Sequence, residues 1–473
     1  MGRLDAFDQA KFGIMITWGI YTVGAVEASW PLIAPWMWSN SPSDETYFGW
    51  AAQFDPANFD ARTWVQTFAS AGARYLVPVT KHHDGFCMFD APGVDFKSTN
   101  PAYANRDFMA ELATACTELD FPNLGWYYSP PDLHNANYRN TTRPAADNWW
   151  SDYVTDLREP DPAFANYLAT MKEHLRTLLT DPRYRVGDNP VFSLWFDGLT
   201  RQWIFDPYDV HEMVAQLSPQ TLTDNRLLLT GDFITPENFV PDAVPVNNEF
   251  PPLRPLIGDA MFFGLELPAL RATTSWQGFY KNFIRLQNIQ TPTSPPWPIP
   301  PAVFQPWESC MTMSASESWS YNPNDTYRPV SELIQGLAHA ASFGGNFLLN
   351  VGPAPDGTIP DGAGATLAAI GAWLNVNGAA IYGTSYGPFS DGSRTLYTTS
   401  AGGTVYLHAF DPSRAVCDGS ITLQSFTPSV SAVNALSGGT GPLPFTQSGG
   451  TLSIDVSSVT FDPNDTVFAL TVG

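Results

Sequence analysis

The stretch ARYLVPVTKHHDGF, residues Ala73–Phe86, decides the reading of the fold. Its first half is apolar and rich in β-branched residues, the composition of a buried parallel strand. Its second half, Lys81–Phe86, crowds two histidines and an aspartate where that strand would end. In α/β enzymes, ligands bind at the C-terminal ends of parallel strands. A second stretch repeats the arrangement: NPVFSLWF (Asn189–Phe196) runs into Asp197 and Gly198. Together they offer His82, His83 and Asp197 to one pocket.

Outward from these two stretches, strand and helix patterns alternate from Phe12 to about Tyr382. Strands are read at Phe12–Gly19, Ala73–His83, Asn123–Ser129, Val191–Gly198, Thr221–Leu229, Pro306–Met313 and Gly344–Gly352. Helices are read at Phe59–Gly72, Arg106–Asp120, Phe164–Asp181, Tyr208–Ser218, Val330–Gly344 and Gly364–Gly378. Repeated strand–helix units with right-handed crossovers predict an α/β fold, a (β/α)8-type barrel, over residues 1–383. Leu227–Pro306 is Pro-rich and reads as long active-site loops. From residue 384 to 473 helical periodicity gives way to short alternating segments separated by Gly, Ser and Pro. This predicts a C-terminal β-sandwich.

The formal charge of -23 over 473 residues argues against nucleic acid and against anionic membrane surfaces as partners. No apolar run approaches the ~18 residues that span a bilayer. The 16 Trp suit a sugar-binding cleft as well as a large core. Cys87, Cys116, Cys310 and Cys417 are too scattered for a zinc knuckle or a disulfide framework, and their pairing stays open. The chain opens MGRLDAFDQAKFG, with no apolar signal region. Sequons at Asn140, Asn324 and Asn464, with 42 Pro, nevertheless give the expectation of a secreted protein.

Among the chemical groups, Asp197 reads as a nucleophile or electrostatic stabiliser, or else as a cap on the following turn. His82 and His83 are adjacent. Strand neighbours point to opposite faces, so one shared metal ion is not expected. Glu237 follows Thr235-Pro236, which is also a good helix start with an acid in its first turn. Glu249 and Glu308 are rival carboxylates.

Taken in order, KFGIMITWGIYTV, KHHDGFCMFD, GWYYS, LWFDG, TDNRL, GDFITPE, WESCMT and GGNFLLNVGPAPDG resemble the motifs of glycoside hydrolase family 29, the α-L-fucosidases. The resemblance runs from about Lys11 to about Gly383. It implies a barrel followed by a β-sandwich, with Asp197 as nucleophile. Through the D-F-x-T-x-E pattern at Asp232–Glu237 it implies Glu237 as acid/base, with Glu249 and Glu308 as alternatives. Trp36, His82, His83, Tyr127, Trp195 and Arg226 fall on sugar-contacting positions. Thr17 stands where the family has the histidine of His-Trp-Gly, and Pro35-Trp36 where it has Glu-Trp. Glu27 and Asp44 are the groups that would compensate. The implied activity is a retaining exo-α-L-fucosidase that removes terminal α-L-fucosyl residues through a covalent glycosyl-enzyme, with no metal or organic cofactor. Asp197 is then expected ionised and Glu237 protonated. The alternatives are a glycosidase for a different α-L-linked sugar and a catalytically weak carbohydrate-binding homologue.

Overall fold

The computed structural model describes residues 4–33, 41–138, 162–197, 205–227, 231–241, 306–392, 394–439 and 441–473. Seven parallel strands form one curled sheet in the order β5-β4-β3-β2-β1-β7-β6. They are β1 (Phe12–Ile16), β2 (Tyr75–Lys81), β3 (Trp126–Tyr128), β4 (Ser193–Phe196), β5 (Leu222–Thr223), β6 (Glu308–Thr312) and β7 (Asn346–Val351). β1 pairs with β2 through Gly13 and Tyr75, and with β7 through Gly13 and Leu348.

The free edges of β5 and β6 meet across residues 232–238. The Asp232 N–H donates to the Thr223 carbonyl at 2.7 Å. On the other side, the Ile234 N–H donates to Pro306 at 3.0 Å, and the Ile234 carbonyl accepts from Glu308 at 2.8 Å. Cys310 donates to Pro236 at 3.0 Å, and Asn238 to Cys310 at 2.8 Å. This segment closes the barrel, and full closure removes both sheet edges. Within Leu227–Pro306 the loop reading is corrected for residues 232–238, as is the helix start at Thr235-Pro236-Glu237: Glu237 bridges Cys310 in the parallel sense, while residues 242–305 lie outside the described residues. Pro236 has no N–H for a ladder, which breaks the strand pattern in sequence although its carbonyl still accepts.

The outer helices follow the sequence closely. Asp60 and Asp107 cap Ala61–Ser70 and Phe108–Glu118 by accepting from Thr63 and Ala110. The first helix buries Trp64, Val65 and Phe68. Each such side chain contributes roughly 1.5–3 kcal/mol. Inside the barrel, Met15, Tyr75, Val77, Tyr127, Trp195 and Phe233 belong to one buried cluster. Gly13 makes room for this packing: a Cβ there would lie 2.3 Å from the Tyr75 ring.

Beyond the barrel, strands between Ser385 and Val472 form two antiparallel sheets, one of five strands and one of four. Their facing residues share a separate core, including Leu407, Phe426 and Phe468. The Trp373 indole N–H donates to the Asp465 carbonyl at 3.0 Å, tying this β-sandwich to the last barrel helix, Asp361–Asn377. The four cysteines are all free, and only Cys417 is exposed.

Buried titratable groups set a pH window for stability. Burial raises Glu27 and Glu308 to about 7 and Asp8 and Asp84 to about 6, from ordinary values of 4.5 and 3.8. In the range between, the folded chain binds more protons than the unfolded one. These groups therefore lose stability as pH rises from about 4 through 7. Burial also lowers His83 and His174 to about 3 and His211 to about 4, from 6.5. The histidines lose stability in the opposite sense, as pH falls from 6.5 through 3. The two sets oppose each other between about pH 4.5 and 6.5. Thermal unfolding should show a plateau of Tm there, with a fall below pH 4.5 and a fall from pH 6.5 to 7; above pH 7 Lys11, lowered by burial to about 8, adds stability as pH rises, and a Tm that climbs from pH 6.5 to 7 would contradict this balance.

Candidate active site

β4 alternates, so Trp195 and Asp197, two apart, both face the barrel interior. The Asp197 N–H donates to the Tyr128 carbonyl at 3.1 Å, extending the ladder beyond the last strand residue. Asp197 is thus fixed at the C-terminal end of a barrel strand and is buried. Its Oδ2 accepts from the Tyr127 hydroxyl at 2.5 Å, and its Oδ1 from Arg226 Nη1 at 3.1 Å. His83 Nε2 lies 3.7 Å from Oδ2.

Arg226 stands just beyond β5, its side chain buried among acceptors. Its Nη2 donates to Glu237 Oε2 at 2.5 Å and its Nε to Thr235 Oγ1 at 2.8 Å. Its guanidinium lies 4.2 Å over the Trp195 ring. Trp195 in turn stacks on Tyr127 at 5.4 Å. One planar cation therefore joins Asp197 to Glu237, which is 4% exposed. Beneath them, Asp224 is fully buried. Burial pushes its carboxyl well above the ordinary range, which disfavours a further negative charge beside the pair.

β2 ends at Lys81, so strand alternation does not govern the two histidines that follow. Their rings sit 4.5 Å apart on the same side, correcting the expectation of opposite faces. His82 stacks on Tyr127 at 5.6 Å, with an angle of 3° between the planes. Ser29 Oγ holds His82 Nδ1 at 2.5 Å, and Ser129 Oγ holds His83 Nδ1. Burial lowers both histidines, so both are neutral at ordinary pH.

Ligand atoms of His82, His83 and Asp197 lie within 4.8 Å of one another, which is close enough for a metal ion. However, Arg226 and Lys81 project positive charge onto His83. That field favours a neutral hydroxyl over a cation. Buried His83 Nε2 has no hydrogen-bond partner among the described residues, so a ligand hydroxyl would satisfy it.

The remaining candidates separate clearly. The Thr17 hydroxyl donates to Asn350 Oδ1 at 2.6 Å, and Asn350 Nδ2 donates to the Trp319 carbonyl at 2.7 Å. Its proton is therefore already engaged. Glu27 accepts from Ser318 Oγ at 2.5 Å and from the Trp319 N–H at 2.8 Å, binding one rim loop to another. Glu308 is the first residue of β6, at the far end of the strand from the cleft. Its two oxygens accept from Tyr75 and Trp195. Trp36, Pro35, Glu249, Gly198 and Asn140 lie outside the described residues. Asp44 begins the short helix Asp44–Gly49. Ser29, Ser129 and Thr235 were not anticipated. Ser129 and Thr235 lie inside quoted motifs, but a hydroxyl that orients another side chain leaves no pattern of its own.

A family model described as Alpha-L-fucosidase matches residues 3–247 and 278–379. The chain belongs to the alpha-L-fucosidase family. It is a glycoside hydrolase. Tissue alpha-L-fucosidases from Bos taurus and Homo sapiens are each 25% identical to it, over 413 and 417 residues. These alignments cover 85% of this chain and 73% and 74% of the relatives. Alpha-L-fucosidase isoenzyme 1 from Paenibacillus thiaminolyticus superposes with a TM-score of 0.75 at 27% identity, covering 100% of this chain and 99% of that one. A family 29 alpha-L-fucosidase from Bacteroides thetaiotaomicron, solved as a trapped covalent intermediate with 2-fluoro-fucosyl fluoride, superposes at 0.73 with 21% identity. It is covered over 96% of its length, against 100% of this chain. Among the described residues of this family member, no helix is long and apolar enough to cross a membrane.

Proposed function

We propose that this enzyme is a retaining exo-α-L-fucosidase acting on terminal α-L-fucosyl residues, with Asp197 as nucleophile and Glu237 as acid/base. The observation that carries the reading is the single guanidinium of Arg226 shared by two buried carboxylates at the C-terminal end of the barrel. One cation balances one negative charge. The proposed cycle takes Asp197, which accepts from Arg226 and the Tyr127 hydroxyl, as the attacking carboxylate and Glu237 as the carrier of the proton. In the first step an Asp197 oxygen forms a bond to the anomeric carbon, the glycosidic bond breaks, and Glu237 gives its proton to the leaving oxygen. Asp197 becomes a neutral ester as Glu237 becomes an anion. The charge facing Arg226 moves from one carboxylate to the other without changing in number. In the second step Glu237 takes a proton from water, the water oxygen attacks the anomeric carbon, and Asp197 leaves as the carboxylate. Bridging by one guanidinium favours the short carboxyl separation of about 5–5.5 Å that covalent catalysis needs. His82 and His83 offer neutral ring nitrogens to sugar hydroxyls, and Trp195 lies behind them against the Arg226 guanidinium.

The test is a panel of aryl glycosides followed by NMR. Turnover of the aryl α-L-fucoside with α-fucose as the first-formed product is the expected result; β-fucose formed first would overturn retention. A second reading, a glycosidase for another α-L-linked sugar, is favoured by the engagement of the Thr17 hydroxyl with Asn350. The same panel separates the two by which glycoside is cleaved, and absence of any turnover would leave the carbohydrate-binding homologue.

A further inference from the structure

Glu308 is a buried carboxyl for which the catalytic cycle has no use. It enters the barrel from the start of β6 and is 1% exposed. Its Oε2 accepts from the Tyr75 hydroxyl of β2 at 2.5 Å, and its Oε1 from the Trp195 indole N–H of β4 at 3.2 Å. Trp195 is the surface on which the Arg226 guanidinium rests, 4.2 Å away. Tyr127, stacked on the same indole, donates to Asp197. The ring of Tyr75 has its place because residue 13 is glycine. A column thus runs up the barrel axis from Tyr75 and Glu308 through Trp195 to Arg226, and from there to both carboxylates of the pocket.

We propose that Glu308 is a positioning residue: it clamps the Trp195 indole from the closed end of the barrel and, through that ring, fixes the guanidinium that Asp197 and Glu237 share. This rests on the assignment of those two carboxylates. The groups facing Glu308 are Tyr75 of β2, Trp195 of β4, Arg226 beyond β5 and Cys310 on its own strand, with Asn346 of β7 beside Tyr75. Only Arg226 is charged: burial holds the Cys310 thiol and the Tyr75 phenol far above their ordinary values. Burial holds Glu308 neutral up to about pH 7. When Glu308 is neutral the Tyr75 contact can reverse, the carboxyl donating its proton to the Tyr75 oxygen while its other oxygen still accepts from the indole, and a glutamine amide can make the same two bonds.

The experiment compares Glu308→Gln and Glu308→Ala with wild type at about pH 6, on aryl α-L-fucosides with good and poor leaving groups. Glu308→Gln should keep kcat within roughly threefold of wild type, because both hydrogen bonds survive. Glu308→Ala should lower kcat by about 30- to 100-fold with KM within a few-fold, as expected when reacting groups are misplaced but the sugar still binds. In both variants the ratio of rates on good and poor leaving groups should match wild type. Should Glu308→Ala fail to fold, near-wild-type turnover by Glu308→Gln with an unchanged leaving-group ratio still supports the assignment. A large loss confined to poor leaving groups in Glu308→Gln would instead make Glu308 the acid/base and overturn it. Wild-type activity in Glu308→Ala would overturn it as well. Failure of the underlying reading looks different, because it appears as an undiminished Asp197→Ala enzyme.

Discussion

Asp197→Ala is expected to lower kcat on an aryl α-L-fucoside by on the order of 10⁴-fold or more, because the covalent route disappears with its nucleophile. The fold should survive. Asp197 sits one residue beyond the end of β4, and its ladder contact is made by the backbone N–H, which alanine keeps. Removing the carboxylate takes one acceptor from Arg226 and one from the Tyr127 hydroxyl. A small anion can enter that electropositive space. Added azide should therefore restore part of the rate on activated substrates and yield the β-configured glycosyl azide. Circular dichroism and Tm close to wild type would show that the loss is chemical. An Asp197→Ala enzyme within tenfold of wild type would remove Asp197 from the mechanism.

Glu237→Ala carries the second large effect, and its signature is selectivity. General acid catalysis contributes about 10²–10⁴-fold where the leaving group needs a proton. Natural glycosides and aryl glycosides with poor leaving groups should lose activity on that scale. Substrates with good leaving groups should lose far less in the first step and then stall at the second, so that the glycosyl-enzyme accumulates. Steady-state KM should fall together with kcat on those substrates, and a pre-steady-state burst should become visible. Equal losses on all leaving groups would place the proton donor elsewhere, and Glu249 would become the next variant to make.

Much of this architecture was legible in the sequence because its strands announce themselves. Short apolar runs such as Tyr75–Lys81 and Ser193–Phe196 are buried on both faces, the first ending on Lys81 and the second running into Asp197. The helices read at Phe59–Gly72 and Arg106–Asp120 likewise stand at Ala61–Ser70 and Phe108–Glu118. The segment that closes the barrel was not legible. Residues 232–238 carry a proline and follow a glycine, and their pairing is shared between two neighbours, so no periodic signal survives. The same obscurity hid the position of Glu237, whose local sequence reads equally well as a helix start. The histidine pair was misjudged by assuming that the strand continues through it. The depth of Glu308 was invisible for a different reason. A carboxylate next to a strand looks the same in sequence at either end of the barrel, and only its partners Tyr75 and Trp195 show which end it occupies.

The covalent intermediate is the most direct point of attack. With 2-fluoro-fucosyl fluoride, the fluorine at C2 slows both steps, while fluoride as leaving group keeps the first faster than the second, so that the ester should accumulate. The measurement is mass spectrometry of the intact protein and of its proteolytic peptides after this treatment. The account predicts one fluorofucosyl group per chain, on the peptide containing Asp197 and bonded through its side-chain carboxylate, and no such label on Asp197→Ala. Labelling at Glu237, Glu308 or any other residue in place of Asp197, or turnover of the reagent by an enzyme that still hydrolyses fucosides when Asp197 is alanine, would contradict it.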